Sequence, residues 1–477
     1  MNLASTPQPA APVRPPALPG VETVLVYGFG LSGRAAAGLL LRQGLRVVAV
    51  DARVVEAGVL ESEGRLRLER ESELLELPPE VGAVVLSPGV PQDRPLLLAA
   101  RAAGLPILGE VELAYRFLQG ELVGITGTNG KSTTTALCGA MLEAGGVEAE
   151  VCGNIGQPMT SSVAKASASS ADQVFVAELS SFQLESLSTL RCRAAALLNV
   201  AADHLDRYDS FEDYAAAKGH LFDRQTAQDV AVVNAQDPLT LRLARASKAR
   251  CRQFSSNGPV EDGCGVEDGT VVERAPGEDP ISLFAVEDLP LAGVHNLENA
   301  MAAALLARCW GVEPSALQAA LKSFEALPHR MQRVAVRAGV TYWDDSKATN
   351  VAAALRSLEG LEDGQGHLIL GGVSKGDDLA PLVEMVRRKA RSVWLIGEAA
   401  EEFAAAFAGV PGVESVGDLE SAVPAAAAVA QPGDAVLLAP ACASYDQFPS
   451  FAARGARFAE LVQELAEGLG TGGEVDG

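Results

Sequence analysis

The sequence predicts an α/β protein in which parallel sheets are divided among three domains. A chain of 477 residues is too long for one compact core, and a length of this order favours about three domains. Hydrophobic residues make up 48% of the chain, which is ample material for several cores. From residue 21 onward, short apolar runs alternate with helical patterns, which is the βαβ rhythm of a parallel sheet.

Composition and charge argue against several classes of protein. The chain has 38 Lys and Arg against 61 Asp and Glu, a net charge of −23 that repels nucleic acids and anionic lipids. Its apolar runs fall short of the ~18 residues that span a bilayer, and no secretory signal is visible. Seven cysteines without CxxC pairs indicate reduced thiols. We therefore expect a cytoplasmic protein that binds no nucleic acid and inserts in no membrane.

The first predicted domain, residues 21–119, follows a leader rich in Pro and Ala. The leader, residues 1–20, lacks periodicity, so we expect it to be disordered. A helix is predicted at 33–43. Strands of this domain are predicted at 21–27, 47–50, 83–86 and 106–108.

The second predicted domain, residues 120–328, begins with a new βα series. Its strands are predicted at 121–126, 174–177, 195–199 and 230–234. Residues 251–290 are Gly-rich and acidic, which is typical of hairpins or small additions to a sheet. Helical patterns return at 296–309 and 314–324.

The third predicted domain, residues 329–477, repeats the βα rhythm. Its strands are predicted at 341–343, 368–370, 393–396 and 435–438. The last helix is predicted to begin near Arg454, and the Gly-rich end after Leu469 is expected to fray.

A glycine-rich loop, GFGLSG at residues 28–33, follows the first strand and opens a helix. Glycines permit a tight turn, and the free N–H groups of a helix N-terminus suit a diphosphate. Asp51 ends the next strand, where dinucleotide-binding folds place the acid that binds ribose. Three interpretations stay open here: an NAD site, a site for another nucleotide diphosphate, and a turn that binds nothing.

A second loop, GTNGKST at residues 127–133, carries a stronger signal. It joins a strand to a helix, so its successive N–H groups can wrap a phosphate chain. Lys131 can reach the terminal phosphates, and the Ser132 hydroxyl can meet Mg²⁺. Ile125 stands where the GxxxxGK[ST] pattern has its first glycine, but the strand–loop–helix context still predicts a phosphate site.

Further polar residues follow later strands of the second domain. Glu178 ends an apolar strand, at the edge of the sheet where a Mg²⁺ ligand is expected. An acidic residue beside a helix cap, with no role in metal binding, would give the same sequence pattern. His204 lies between two aspartates after another strand, which favours a ligand or polar-site role. Lys218 has the pattern of an ordinary helix-surface lysine. Asn296 and Asn299 share one face of a predicted helix. Two interpretations stay open: Asn296 caps the helix, or the two amides contact a nucleotide.

The third domain offers charged and hydroxyl-bearing loops at its strand ends. These loops are DDSKATN at 344–350, GGVSKG at 371–376 and APACASYDQF at 439–448. Lys347 and Lys375 suit an anionic substrate, whereas Cys442 is expected to be a buried, inert thiol. Arg330, at the junction with the second domain, can act like an arginine finger or form an interdomain salt bridge.

Taken together, these motifs resemble the Mur ligase superfamily over nearly the whole chain, from Val21 to Leu465. The motifs that carry the resemblance are GTNGKST, ELSSFQLE, NVAADHLDRY, HNLENA, LPHRM, DDSKATN and LAPACASYDQF. GTNGKST alone is shared with folylpolyglutamate synthases, whereas DSKATN and PACAS narrow the resemblance to the branch that adds D-glutamate. The resemblance implies a Rossmann-like N-terminal domain, a P-loop central ATPase domain and a Rossmann-like C-terminal domain.

The resemblance also implies roles for individual residues. ATP would be bound by Gly127, Thr128, Asn129, Gly130, Lys131, Ser132, Thr133, Asn299, Arg330 and Asp345. Mg²⁺ would be bound by Ser132, Glu178, His204 and a carbamylated Lys218, whose carbamate makes the side chain anionic. The UDP-substrate would be bound by Leu31, Ser32, Gly33, Arg53 and Asn154. D-glutamate would be bound by Lys347, Thr349, Lys375, Ser444, Tyr445 and Phe451, and the catalytic residues would be Lys131, His204 and Lys218.

The implied activity is ATP-dependent ligation of D-glutamate to UDP-N-acetylmuramoyl-L-alanine through an acyl phosphate, by a monomer, in cytoplasmic synthesis of peptidoglycan precursors. ATP and Mg²⁺ are the implied cofactors. Two residues depart from the family pattern: Asp344 stands where relatives have Asn, and Tyr445 stands where Leu is expected. The alternatives are a sister ligase or folylpolyglutamate synthase, an NAD-dependent oxidoreductase that uses residues 28–33, and a P-loop switch without turnover.

Overall fold

The chain forms three β-sheets with helices packed against them. The computed structural model describes residues 18–52, 64–165, 172–203, 207–290, 293–325 and 327–467. The predicted α/β fold class with three sheet-containing regions is confirmed. Most of the leader, residues 1–17, and the end of the chain, residues 468–477, lie outside the described residues.

The first sheet has five parallel strands. Its strands are β1 (Thr23–Tyr27), β2 (Arg46–Asp51), β3 (Leu66–Arg70), β4 (Ala83–Leu86) and β5 (Ile107–Gly109). Its helices are α1 (Leu31–Arg42), α2 (Pro95–Ala102) and α3 (Glu110–Phe117). The spatial order is β3-β2-β1-β4-β5. The strand order reverses beside β1, so the loop that follows β1 lies at the switch point where α/β sheets bind ligands.

The second sheet has nine strands. They are β6 (Glu121–Thr126), β7 (Ala149–Gly153), β8 (Val174–Glu178), β9 (Ala194–Leu197), β10 (Val230–Asn234), β11 (Arg250–Ser255), β12 (Gly263–Glu267), β13 (Thr270–Arg274) and β14 (Ile281–Ala285). Their order is β14-β13-β12-β11-β10-β9-β6-β8-β7, and only the pairs that involve β13 are antiparallel. The hairpins predicted for residues 251–290 are therefore confirmed.

Helices cover both faces of the second sheet. They are α4 (Lys131–Ala144), α5 (Met159–Lys165), α6 (Ser181–Leu184), α7 (Phe211–Gly219), α8 (Pro238–Arg245), α9 (Val294–Arg308) and α10 (Pro314–Ser323). Neighbouring residues of β6 point to different cores: Val123 packs with α4, α9 and α10, whereas Leu122 packs with the cluster on the opposite face. Burial on both faces explains why this strand is a continuous apolar run.

The third sheet has six strands in the order β15-β16-β20-β17-β18-β19. They are β15 (Gln332–Arg337), β16 (Val340–Asp344), β17 (Gly366–Gly371), β18 (Ala390–Ile396), β19 (Val413–Gly417) and β20 (Ala435–Leu438). Only the β15–β16 hairpin is antiparallel. Its helices are α11 (Val351–Glu359), α12 (Ala380–Lys389), α13 (Ala400–Ala406), α14 (Leu419–Val429) and α15 (Phe451–Glu467).

Two compact units divide the described chain. The first contains the first two sheets and runs to Val200, then continues over Glu212–Pro290 and Val294–Phe324. The second contains the third sheet together with Ala201–Phe211, so the segment that follows β9 belongs to it. Among the described helices, none combines the length and the apolar character needed to cross a bilayer.

Candidate active site

The loop between β6 and α4 has the backbone of a phosphate-binding loop. Gly127 and Gly130 have φ angles of 153° and 83°, which residues with side chains rarely adopt. A Cβ on Gly130 would lie 2.2 Å from Asn299 Oδ1, so close packing against α9 also requires glycine. Asn299 in turn accepts a hydrogen bond from Thr134 Oγ1 at 3.3 Å. The loop ends at the N-terminus of α4, whose backbone N–H groups favour an anion.

Two residues to which the sequence analysis assigned no role hold this loop in place. Asn199, just beyond β9, accepts from the Asn129 N–H at 2.9 Å and donates to the Asn129 carbonyl oxygen at 3.1 Å. The Tyr214 hydroxyl lies 3.1 Å from Thr128 Oγ1. Asn199 begins the NVAADHLDRY motif, and the strand before it ends at the same edge of the sheet as β6.

The Lys131 ammonium lies over its own loop. It donates to the carbonyl oxygens of Gly127 and Thr128, both at 2.8 Å. Ser132 and Thr133 are buried in the first turn of α4. A cation beside a row of backbone N–H groups is the arrangement by which P-loop proteins neutralise phosphate charge.

Lys218 lies against the same loop and is buried. Its side chain donates to the Gly127 carbonyl oxygen at 3.0 Å, and Nζ lies 4.5 Å from the centroid of the Tyr214 ring. The sequence pattern of a helix-surface lysine is therefore misleading, because this face of α7 packs on the P-loop. A buried ammonium needs polar partners, which the carbonyl and the aromatic face supply.

Glu178 and Asn154, assigned to different ligands in the sequence analysis, lie in contact. Glu178 Oε1 accepts from Asn154 Nδ2 at 2.9 Å, and the Asn154 N–H donates to the Glu178 carbonyl oxygen at 2.9 Å. Gly153 has a φ of 97°, and a Cβ there would lie 2.4 Å from that same carbonyl oxygen. The turn at residues 153–156 is thus held directly against the end of β8.

The residues predicted to bind Mg²⁺ have suitable donor chemistry. Ser132 lies in the first turn of α4, which follows β6, and Glu178 is the last residue of the neighbouring strand β8. Both residues are buried and carry oxygen atoms, which are the ligands that Mg²⁺ prefers. His204 lies outside the described residues. Within the described part of the chain, no three His, Cys, Asp or Glu side chains are grouped as a metal site.

The glycine-rich loop after β1 is braced by two side chains. Asp51 Oδ2 accepts from the Phe29 N–H at 2.7 Å, and Ser87 Oγ donates to the Gly28 carbonyl oxygen at 2.7 Å. A Cβ on Gly33 would lie 1.8 Å from that carbonyl oxygen, so only glycine fits there. Leu31 is 71% exposed at the start of α1, where Ser32 and Gly33 follow it, whereas Arg53 lies outside the described residues.

In the second unit, the loops after β16, β20 and β17 are brought together because these strands are neighbours. Lys347 Nζ lies 3.9 Å from the centroid of the Phe451 ring, and the Lys347 carbonyl oxygen accepts from the Thr349 N–H at 2.8 Å. Ser444 is buried, whereas Tyr445 is 76% exposed. The structure therefore groups Lys347, Thr349 and Phe451 and turns the Tyr445 side chain towards solvent.

Lys375, on the loop after β17, forms an ion pair that the sequence analysis did not predict. Its Nζ lies 3.1 Å from Asp203 Oδ1, and the other Asp203 oxygen accepts from Asn350 Nδ2 at 2.9 Å. Asn350 caps α11 by accepting from the Ala353 N–H at 2.8 Å. Asp203 belongs to the NVAADHLDRY motif, but its partner Lys375 lies 172 positions away in sequence.

Asp345 and Arg330 influence each other electrostatically. Burial, the largest effect, raises the pKa of Asp345, while the hydrogen bond from the Ser357 hydroxyl and the charge of Arg330 oppose that rise. Asp345 directly follows β16, and its N–H donates to the Leu438 carbonyl oxygen at 2.9 Å. Asp345 therefore lies at the same edge of the third sheet as the loops that carry Lys347 and Ser444.

Arg454 is a further residue to which the sequence analysis assigned no function. It is 1% exposed and donates to Ser346 Oγ and to the carbonyl oxygens of Ser346 and Cys442 at 3.0–3.1 Å. One guanidinium thus joins the loops that follow β16 and β20. Burial raises the pKa of the Cys442 thiol to about 12, as expected for an inert cysteine.

Family models match three successive parts of the chain. Residues 22–109 match the MurD-like N-terminal domain of Mur ligases, residues 125–307 match the Mur ligase middle domain, and residues 329–442 match the Mur ligase glutamate ligase domain. The first and third ranges contain the first and third sheets, and the middle range contains the second sheet except for the first four residues of β6.

Curated relatives resemble the chain over nearly its full length. A UDP-N-acetylmuramoylalanine–D-glutamate ligase of Myxococcus xanthus is 46% identical over 460 residues, which cover 93% of this chain and 98% of the relative. A ligase of the same name from Acidobacterium capsulatum is 42% identical over 448 residues, which cover 92% of this chain and 96% of the relative. The chain therefore belongs to the Mur ligase family, and its relatives are UDP-N-acetylmuramoylalanine–D-glutamate ligases.

Solved structures share the fold at low sequence identity. The UDP-N-acetylmuramate-alanine ligase MurC of Thermotoga maritima has a TM-score of 0.60 and 18% identity, covering 93% of this chain and 99% of that one. The MurF ligase of the same organism, in complex with ADP, has a TM-score of 0.58 and 18% identity, covering 90% and 97%. A folylpolyglutamate synthase of Mycobacterium tuberculosis also shares the fold, with a TM-score of 0.56 and 16% identity. The match covers 72% of this chain and 92% of that one.

Proposed function

We propose that this chain ligates D-glutamate to UDP-N-acetylmuramoyl-L-alanine in a reaction driven by ATP, in peptidoglycan synthesis. The observation that carries the proposal is the P-loop between β6 and α4, where Lys131 and Lys218 both donate to the Gly127 carbonyl oxygen. Relatives at 40–46% identity that are named D-glutamate ligases support the choice of substrates.

The chemistry begins with activation of the acceptor, because a carboxylate is a poor electrophile. Transfer of the γ-phosphoryl group of ATP to the L-alanyl carboxylate gives an acyl phosphate and ADP. The neutral amine of D-glutamate then attacks the acyl carbon, and phosphate leaves from the tetrahedral intermediate. Lys131 offsets the negative charge that phosphoryl transfer concentrates at the P-loop.

We assign the nucleotide to the P-loop and to three residues outside it. The set is Gly127, Thr128, Asn129, Gly130, Lys131, Ser132, Thr133, Asn299, Arg330 and Asp345. Mg²⁺ would be held by Ser132, Glu178, His204 and a carbamylated Lys218, and when bound it would supply positive charge to the phosphates. The Lys218 carbamate would place an anion beside the P-loop, in keeping with the 3.0 Å separation of Nζ from the Gly127 carbonyl oxygen.

The two other substrates are assigned to the first and third sheets. Leu31, Ser32 and Gly33 begin α1 and offer its N-terminus to the diphosphate of the UDP-substrate, with Arg53 and Asn154 as further contacts. D-glutamate brings two carboxylates, which suit Lys347 and Lys375. The remaining residues of this site are Thr349, Ser444, Tyr445 and Phe451.

This assignment implies an organisation and a location for the protein. The domains are residues 21–119 for the UDP-substrate, 120–328 for ATP and 329–477 for the amino acid, after a leader of residues 1–20. We propose that the protein acts as a monomer in the cytoplasm, where nucleotide-activated precursors and ATP are available.

Phosphate release by the purified protein tests the function. Reactions contain ATP and Mg²⁺ with UDP-N-acetylmuramoyl-L-alanine or a folate acceptor, and with D-glutamate or another amino acid. We expect release only when UDP-N-acetylmuramoyl-L-alanine and D-glutamate are both present. Release with another acceptor or amino acid would contradict the proposal, as would nucleotide binding without turnover.

A further inference from the structure

A histidine–carboxylate pair lies beside the proposed amino-acid site, and neither residue has been given a role above. His329 Nδ1 lies 2.6 Å from Asp344 Oδ2, and Asp344 Oδ1 accepts from the Ser346 N–H at 2.9 Å. Asp344 is only 1% exposed. When the carboxylate is ionised and the ring is neutral, Nδ1 donates the hydrogen of this bond and Nε2 keeps its lone pair.

The His329 ring faces residues of the proposed D-glutamate site. Its side chain is 17% exposed, and no described residue forms a hydrogen bond with Nε2. The ring meets Phe451 edge-on, with centroids 6.4 Å apart, and the His329 carbonyl oxygen accepts from the Lys347 N–H at 3.1 Å. Since Lys347 Nζ also lies over the Phe451 ring, an ammonium and an imidazole flank the same phenyl group.

The backbone is arranged to accommodate this pair. His329 and Met331 have φ angles of 62° and 41°, a left-handed region that non-glycine residues rarely adopt and that is over-represented at functional sites. Gly455 lies within α15, where glycine weakens a helix. A Cβ at Gly455 would lie 2.2 Å from His329 Nδ1 and 2.6 Å from Asp344 Oδ2, so glycine provides the space that the pair occupies.

We propose that His329, oriented by Asp344, accepts the proton that the α-ammonium of D-glutamate must lose before the amine attacks; this inference rests on the proposed function. One N–H bond of the ammonium breaks and its proton moves to Nε2. The freed lone pair forms the C–N bond, the C–O bond to phosphate then breaks, and the second proton that the nitrogen loses on becoming an amide passes to the departing phosphate. The imidazolium is stabilised by Asp344 and returns its proton to solvent.

An imidazolium formed at His329 would have an anion in direct contact with it. Asp344 at the end of β16 contacts the ring directly, and Asp345 follows it in the chain. Lys347 Nζ lies over the Phe451 ring, and Arg330 is the next residue along the chain. Of the α15 residues that pack here, Phe451 and Gly455 carry no charge, whereas the buried guanidinium of Arg454 interacts electrostatically with Asp344.

A comparison of two nucleophiles tests this role in the full-length protein. His329→Asn tolerates the left-handed backbone and removes the ring. D-glutamate must lose a proton before attack, whereas hydroxylamine is largely uncharged near neutral pH and traps the acyl phosphate as a hydroxamate. For His329→Asn we expect hydroxamate formation within about twofold of the parent, while kcat for D-glutamate falls on the order of 10²-fold or more. Added imidazole should restore part of the ligation.

Two further variants separate proton transfer from simple support of the loop. Asp344→Asn keeps an acceptor for Nδ1 but loses the charge, so we expect a smaller loss, again confined to D-glutamate. His220, which forms an exposed pair with Asp223, serves as a matched control, and His220→Asn should change neither reaction.

Three outcomes would overturn the inference. Ligation at the parent rate by His329→Asn would show that no proton passes through the ring. Equal loss of hydroxamate and ligation would assign His329 to structure alone. A parent protein that forms neither product would refute the proposed function itself, and the inference with it.

Discussion

Replacing Lys375 with alanine tests the proposed amino-acid site, because this ammonium already forms an ion pair within the second unit. Nζ lies 3.1 Å from Asp203 Oδ1, and the two side chains are only 16% and 7% exposed. In the proposed complex Lys375 also pairs with a carboxylate of D-glutamate, and truncation of one partner of a desolvated charge pair costs about 2–5 kcal/mol. We therefore expect the KM for D-glutamate to rise roughly 30-fold or more in Lys375→Ala, since 1.4 kcal/mol corresponds to about tenfold.

Part of that cost would come from Asp203, which would lose its cationic partner. The double variant Lys375→Ala with Asp203→Asn removes both charges and leaves an amide that can still accept from Asn350. If Lys375 binds a substrate carboxylate, the double variant keeps the high KM for D-glutamate. If the loss arises only from an unpaired Asp203, the double variant recovers.

The assay is steady-state phosphate release with each substrate varied in turn. The KM for ATP should change little, because the P-loop residues lie on the second sheet. Equal changes in the KM values for ATP and D-glutamate, no change in either, or recovery in the double variant would refute the assignment of Lys375 to the amino-acid site.

Four further substitutions test other parts of the structure. Lys131→Ala should slow ADP formation by about 10²-fold or more while circular dichroism stays unchanged, because the lost ammonium stabilises transition-state charge. Lys218→Ala should lose most activity and regain part of it with added acetate, because the proposed role belongs to a carbamate anion. Glu112→Ala should lower the free energy of unfolding by about 3 kcal/mol or more, since its buried carboxylate accepts from the backbone N–H groups of 188–190 and each unsatisfied donor costs about 1–3 kcal/mol. Glu110→Gln should raise Tm more at alkaline than at acid pH. Burial raises the pKa of Glu110 and outweighs the hydrogen bonds from Thr160. The Glu110 side chain therefore stabilises the fold fully below the ordinary glutamate pKa, and this stabilisation is lost as the pH rises through the raised pKa.

Each of these predictions has a contrary result. Normal ADP formation by folded Lys131→Ala would remove the P-loop assignment. No rescue of Lys218→Ala by any small carboxylate would count against the carbamate. Glu112→Gln keeps an acceptor and is the control, so equal stability of the Ala and Gln variants would contradict the hydrogen-bond argument. A Tm shift for Glu110→Gln that is the same at every pH would show that its ionisation is not the cause.

Central strands can be predicted from the sequence, whereas edge strands are harder to predict. The bounds predicted for β4, β6, β10 and β20 agree with the structure, and each of these strands has a neighbour on both sides. Apart from β11 to β14, for which the sequence predicts only hairpins or additions to a sheet, four strands were not predicted: β3, β7, β15 and β19. Each lies at the edge of its sheet, where exposed positions take polar residues and the apolar run is interrupted, as in LRLER of β3.

The loops of the site could be predicted because glycine, lysine and hydroxyl residues follow strands at fixed offsets. The partners of those loops could not, because they depend on packing between distant segments. Lys218 has the pattern of a surface residue, and only the fold brings it to the Gly127 carbonyl oxygen. Asp203 meets Lys375 across 172 positions, and Arg454 meets Ser346 across 108.

The most direct test of the account is ADP release with UDP-N-acetylmuramoyl-L-alanine as acceptor, comparing D-glutamate with L-glutamate. Both amino acids carry the same charges, so only the geometry of the amino-acid site can separate them. The account predicts ADP formation that depends on the acceptor and proceeds with D-glutamate, with little or none above background for L-glutamate. Equal rates with the two enantiomers, or ADP formation that needs neither amino acid nor acceptor, would contradict it.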